Sequence, residues 1–418
     1  VDLGRVAGEE RQAAVKRVDA RLKRVLAARP EDSLVLITGV SDTGGRSHLR
    51  LALANGPGMG DGLLRSSRTG YVPLVDVAPT AAKALGMPRS HWFTGVPLRT
   101  DPAPGDLRST VNQFVDLDRA SVAQSEEAPG FALALVVLQV LLCLVAVPVL
   151  WRIRKASARR TAALRAQGTR PSWVVAAEPA LELAVTAASL LAPAAMIADL
   201  FPWWRSSAPG LAMAGLVLVI TAALTAGIRL TPWWHAPLGP VACVAAVTVA
   251  VVGVDLVTGS QLQLDSVVGY AAAAGGRIVG LSAMGAGVLI AGTLLAAGCL
   301  AQRLPRRRGP LVLAAAGGVG VALAGLAGQD PGSAIALTVG VCVAAAICTG
   351  SWLTAGRLFR AVVTGVAVTG LLVAANLYLS GPRDGRLSRF LSDLGEGTAG
   401  VMLRWTAEAN VVTFTTSP

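Results

Sequence analysis

The sequence predicts a mainly α-helical integral membrane protein, about eight transmembrane helices preceded by a partial α/β domain. Three observations carry that prediction. Hydrophobic residues make up 53% of the 418-residue chain and charged residues 15%. Mean hydropathy is +0.58, too apolar for a chain that must present a polar surface to water. The apolar residues gather into runs that match the roughly 20 residues needed to cross a hydrocarbon core. Finally, Arg and Lys concentrate in every second loop between those runs.

The runs lie near residues 131–151, 173–200, 209–228, 237–256, 278–301, 310–328, 334–355 and 361–380. The second is long enough to tilt or break, and Pro179 and Pro193 fall inside it. Ala, Val, Leu and Gly dominate, so the helices can approach closely through small side chains. Loops after spans one, three, five and seven hold fourteen Arg and Lys residues; the alternate short loops hold two, Arg205 and Arg277. Short basic loops stay cytoplasmic, so the segment before the first span and the tail from Gly381 are both expected outside. Trp203 with Trp204 and Trp233 with Trp234 stand at span ends, where an indole keeps its ring among headgroups and its N–H wet.

The same distribution argues against a nucleic-acid partner. The net charge is +12, but the basic residues sit in topology-setting loops instead of forming one face. The expected partner is the lipid bilayer. Cys143, Cys243, Cys299, Cys342 and Cys348 all fall in apolar runs, where a thiol behaves as a small hydrophobe, so neither a disulfide framework nor a zinc site is expected.

Before the spans, residues 8–28 have helical periodicity with Val15, Val18, Leu22 and Leu26 on one face, and Leu34 to Ile37 reads as a strand. Helix followed by strand suggests a βαβ unit. A second strand, Leu49 to Ala54, leads to the Gly-rich stretch 55–62, which reads as a plain turn because no P-loop Lys follows it. Val77 to Leu85 reads as a helix begun near Asp76. The expected organisation is residues 1–100 as the end of an α/β domain, 101–130 as a linker and helix into the membrane, 131–380 as the spans, and 381–418 as an amphipathic tail. Residues 1–30 contain no apolar export segment and the first residue is Val, so an upstream portion carrying such a signal is expected.

The runs LVLITGVSDTGG, HLRLALANGPG, YVPLVDVAPTAAKALGMP and TGVPL resemble the closing section of alkaline-phosphatase-superfamily domains, with Ser41, Asp42, Asp76, Pro79, Thr80, Leu85 and Gly86 at matching positions. Joined to eight spans, the chain resembles an actinobacterial family of cell-envelope membrane proteins carrying such a domain outside. The resemblance implies a site for two divalent metals held by Asp and His, with a Ser or Thr nucleophile upstream of the part present here. Asp42 stands at a metal-binding Asp position, but Thr43 replaces its His partner, and a hydroxyl is a poor ligand beside imidazole. His48 is the nearest substitute in sequence; it reads either as a surface or strand-start histidine or, with Asp42, as a vestigial metal pair. No catalytic residue and no bound cofactor are expected in this chain; His91 and His235 read as structural.

Ionisable groups within spans are functional candidates because burying charge in hydrocarbon is costly. Glu178 and Glu182 are four apart in the second span and read as anchors reaching back to Arg165 or Arg170, with a proton or cation site as the alternative. Asp199, Asp255 and Asp265 lie toward the outer end of their segments. Asp265 opens a stretch resembling a recurrent family segment that ends at Arg277, where IleValGlyLeuSerAlaMet departs from the family pattern. Three functions are therefore open. The outer domain is a noncatalytic binder of an envelope phospholipid, glycan or partner; or the full-length protein is a metal-dependent phosphodiesterase or phosphotransferase; or the chain is a transporter.

Overall fold

The computed structural model describes residues 2–3, 11–40, 47–66, 68–88, 93, 95–103, 105–163, 172–236, 238–273, 280–304, 308–328, 330–349 and 354–380. The chain divides into two units: Val1–Val122 with Ala272–Ile278 and Pro382–Pro418, and Ala123–Ala271 with Val279–Gly381. The amphipathic tail lies outside the described residues.

The first unit begins with helix α1 (Arg11–Ala27), followed by strands β1 (Val35–Thr38), β2 (Ala52–Asn55) and β3 (Leu63–Arg65), helix α2 (Val77–Ala84) and strand β4 (Arg99–Asp101). β1 pairs with β2 and β3 with β4, both antiparallel, with Val35 opposite Asn55 and Leu63 opposite Asp101. The parallel βαβ arrangement expected from the helix-strand order is therefore not what these strands form. Strands of three or four residues carry too little pattern to fix their pairing direction. At the turn after β2, Gly56 has φ of 137°, and a side chain there would run into the Ser33 carbonyl. Only glycine tolerates both demands.

Helix α3 (Leu107–Ala163) runs 57 residues through Pro129 and Pro148. The expected helix leading straight into the first span is thus continuous with it. Asp106 caps α3, accepting from the Ser109 amide at 3.2 Å, and the Ser109 hydroxyl and amide hold its carboxyl below the ordinary range.

In the second unit α3 is followed by α4 (Ser172–Ala198), α5 (Pro209–Leu230), α6 (Gly239–Val257), α7 (Ala283–Gln302), α8 (Gly309–Ala322), α9 (Pro331–Cys348) and α10 (Ala355–Ser380). Eight of the described helices are long and apolar enough to cross a membrane. Their positions follow the apolar runs because α5, α6, α8 and α9 each open with a proline in the first turn, where its missing N–H costs nothing. From α4 to α10 consecutive helices pack as neighbours, and α4 also meets α6 while α7 meets α9. At these crossings glycine permits the approach: a Cβ at Gly317 of α8 would come 2.3 Å from Val341 of α9, and one at Gly340 of α9 would come 2.8 Å from Leu294 of α7. Val252, Leu289, Ala324, Ala334 and Leu337 are fully buried at the centre. The middle of α3 is the opposite: Leu133, Leu141, Leu144 and Val147 are exposed, a surface suited to hydrocarbon. A single π-turn, Leu323–Ala327, ends α8.

Candidate functional site

In the first unit Asp76 and Thr80, two of the residues singled out in the sequence, come together and point at backbone. Asp76 is 2% exposed. It stands at the start of α2 without capping it. Its Oδ1 instead accepts from the Val96 amide at 2.8 Å, and its Oδ2 accepts from the Ser66 hydroxyl. One turn on, Thr80 donates to the Asp76 carbonyl and accepts from the Leu98 amide at 2.9 Å. The Asp-x-x-Pro-Thr helix thus clasps the Gly-Val-Pro-Leu strand lead, whose Val96 and Leu98 are themselves buried. Gly95 is required there, since a side chain would strike the Val75 carbonyl.

His48 is likewise engaged. Its Nδ1 lies 3.0 Å from Oδ2 of Asp118 on α3, and Oδ1 of the same carboxylate accepts from the Leu49 amide at 2.7 Å. Asp118 therefore ties the chain entering β2 to α3. Asp42, Thr43 and His91 lie outside the described residues, and the contact seen for His48 is with Asp118. Among the described residues no three His, Cys, Asp or Glu side chains gather as a metal would need. His235 closes the short turn Pro232–His235.

In the second unit the polar side chains converge on the loop between α6 and α7. Asp255, 1% exposed at the end of α6, accepts from the Leu262 amide at 2.6 Å and from Nε2 of Gln263 at 2.9 Å. Gln263 is fully buried, and its Oε1 accepts from the Ser282 amide at 2.8 Å. Ser282 in turn caps α7 by accepting from the Gly285 amide. One chain of hydrogen bonds therefore closes the end of α6 onto the start of α7. Asp265 holds φ of 56° in the same loop, its amide donating to the Tyr270 carbonyl at 2.8 Å. Gln124 donates to the Ser266 carbonyl at 3.0 Å. Asp199, just past α4, accepts from the Trp203 indole at 2.9 Å. Its Oδ2 is buried without a hydrogen-bond partner among the described residues. Arg277 lies outside the described residues.

Glu182 is exposed on α4, so its carboxylate is not turned into the helix packing. Glu178 is helical, but its side chain, like Arg165 and Arg170, lies outside the described residues. Sequence reasoning missed Gln124, Gln263 and Ser266. The available signal was Gln263 itself, an amide eight residues after an Asp at the end of an apolar run.

At the opposite ends of α3, α5 and α7, cations stack on indoles. Lys155 lies 4.6 Å over Trp151, Arg229 5.1 Å over Trp234 and Arg303 4.4 Å over Trp233. This is the pairing of positive charge and indole common where a span meets headgroups. Comparison with family models, with curated proteins and with solved structures finds no match for the chain.

Proposed function

We propose that this chain is a multi-pass protein of the cell membrane whose first unit is a noncatalytic, phosphatase-like module. On this reading the unit sits outside the cytoplasm and binds an envelope phospholipid, a glycan or a partner protein. The observation that carries it is the use made of the motif residues. A two-metal hydrolase needs carboxylates and imidazoles converging on one point. Here Asp76 and Thr80 are turned onto the backbone at Val96 and Leu98, and His48 is held by Asp118. Those contacts support a scaffold for recognition. The fourteen-to-two distribution of basic residues between alternate loops supports the orientation.

Two experiments test the reading. Purified protein should show no metal-dependent hydrolysis of an aryl phosphodiester, and zinc or manganese should leave its melting temperature unchanged. Activity lost in both Asp42→Ala and His48→Ala would replace this proposal with the enzyme. For orientation, single cysteines at Ser33 and Ser388 in a Cys-free background should react with an impermeant thiol reagent in intact cells, and one at Ser157 should not. Labelling of Ser157→Cys alone would reverse the topology.

A further inference from the structure

The turn after α4 holds a carboxylate that its surroundings only half answer. α4 and its apolar span end at Ala198, so Asp199 stands just beyond them, on the side away from the arginine-rich loops. Its Oδ1 accepts from the indole of Trp203, which is 3% exposed. Its Oδ2 is buried, and no donor among the described residues reaches it. Gln124 of α3 is in the same state. It is 4% exposed, its Nε2 donates to the Ser266 carbonyl at 3.0 Å, and its Oε1 is buried with no donor. Ser266 bears on both residues, because its side chain is also one of the groups that set the protonation of Asp199. No cation among the described residues acts on that carboxyl. Burial pushes it up to about 7; the Ser266 and Trp203 side chains draw it down, and the Asp265 carboxylate adds to the rise. Other charged groups nearby are engaged elsewhere or open to water. Glu127 of α3 lies against Gly210 at the start of α5, Arg205 is exposed on the short turn Trp203–Arg205, and Asp255 of α6 is answered by Leu262 and Gln263.

We propose that Asp199 holds a proton that latches the α6–α7 loop onto the ends of α3 and α4, and that losing this proton as the pH rises loosens the loop. A buried carboxylate with too few donors escapes its desolvation cost by taking up a proton, which removes the charge and turns one acceptor oxygen into a donor. The loop is one that can let go. Ser260, Gln263, Ser266, Val267 and Val268 are buried, yet Ser260 and Asp265 sit at φ of 58° and 56°, a left-handed conformation that the packing has to maintain. A carboxyl whose value is raised in the latched state binds its proton more tightly there than in the open one. The proton's contribution is therefore complete below the ordinary value of 3.8 and is lost as the pH rises to about 7. All of these groups belong to the second unit, so the latch does not rest on the function proposed for the first.

Hydrogen exchange of the full-length chain in neutral detergent tests the latch, with protection over residues 259–273 corrected for the intrinsic pH dependence of exchange. In the native chain that protection should fall roughly 10- to 100-fold between about pH 5 and about pH 8, while peptides from α9 do not follow it. Asp199→Asn, which carries no charge and offers a donor at every pH, should abolish the fall. Asp265→Asn should keep the fall and move its midpoint to lower pH, because one neighbouring negative charge is gone. Protection that is equal at the two pH values in the native chain, or a fall that persists in Asp199→Asn, overturns the proposal. If Asp199→Asn does not fold, infrared spectra of the native chain decide. The carbonyl band of a protonated carboxyl, present near pH 5 and lost by about pH 8, must appear and must shift its midpoint in Asp265→Asn; if it is absent or unmoved, the proposal fails.

Discussion

In the first unit the short described strands, α2 and the start of α3 are drawn together by side chains that reach distant backbone: Asp76 to Val96, Thr80 to Leu98, Asp118 to Leu49. In the second, helices meet where glycine removes the side chain, as at Gly317 against Val341, and the buried centre is almost wholly Leu, Ala and Val. Buried threonines such as Thr225 and Thr338 return their hydroxyls to their own helix, and Asp255, Gln263 and Ser282 link into a polar chain at one loop. The difference follows from the solvent each unit must suit. A small unit in water has little apolar area to bury, and its polar clasps fix the strands that hydrophobic burial leaves underdetermined. Helices in hydrocarbon gain little from apolar contact alone, and they associate through close van der Waals fit.

The largest effects should come from removing the carboxylates that each unit buries. Asp76→Ala leaves the Val96 amide and the Ser66 hydroxyl without their acceptor, at about 1–3 kcal/mol for each orphaned donor. Limited proteolysis should then cut within residues 47–103 while the helical remainder resists. Asp255→Ala orphans the Leu262 amide and Gln263 Nε2 at the same cost per donor, and should instead lower the melting temperature of the helical unit. If Asp76→Ala destabilised the helices as much as Asp255→Ala does, the two units would not be separately held.

A smaller loss is expected from overfilling a helix crossing. Gly317→Val places a side chain where Val341 already stands, a strain of about 1–3 kcal/mol, while Gly318→Val, one residue on, has open space for its Cβ. Thermal unfolding in detergent should separate the two variants. Equal stability would show that close fit at α8 and α9 is not what holds this unit.

His48→Ala should cost less again. The His48 and Asp118 side chains are 42% and 31% exposed, and exposed pairs contribute about 0.2–1 kcal/mol. Asp118 also keeps its bond to the Leu49 amide in that variant. Asp118→Ala, which loses both contacts, should be the worse of the two by the same proteolysis assay.

What the sequence revealed follows the same division. The spans were legible because twenty apolar residues in a row admit few other readings, and Pro209, Pro310 and Pro331 mark starts within a few residues. Asp76 was legible as a helix start, but nothing local showed that its carboxylate answers Val96, twenty residues away. The antiparallel pairing of Val35–Thr38 with Ala52–Asn55 was illegible because four-residue strands fit either direction. Gln263 drew no reading from the sequence, and only its placement between Asp255 and Ser282 makes it central. Local pattern reports which solvent a segment prefers; it does not report which distant amide a carboxylate will meet.

The smallest expected effect is a dependence on pH in the first unit. Asp101 on β4 accepts from the Thr69 hydroxyl at 2.6 Å and faces Arg65 at 3.4 Å. The Thr69 bond, with a lesser contribution from Arg65, holds its carboxyl below the ordinary value of 3.8. A carboxyl whose folded value is depressed adds stability above its unfolded value and loses it as pH falls through the folded value. The contribution is therefore complete near neutrality and fades as pH falls below about 4. Because the group is open to water, salt weakens the Arg65 part while the Thr69 bond is less affected. Proteolysis of the first unit with an acid-active protease, at neutral pH and at about pH 3, should show a greater loss of protection in the native chain than in Asp101→Asn, and Thr69→Val should shrink the difference more than Arg65→Gln does. If Arg65→Gln removed more of it than Thr69→Val, the ion pair and not the hydroxyl would be the clasp between β3 and β4, and the first unit would rely on charge where polar hydrogen bonds have been assigned.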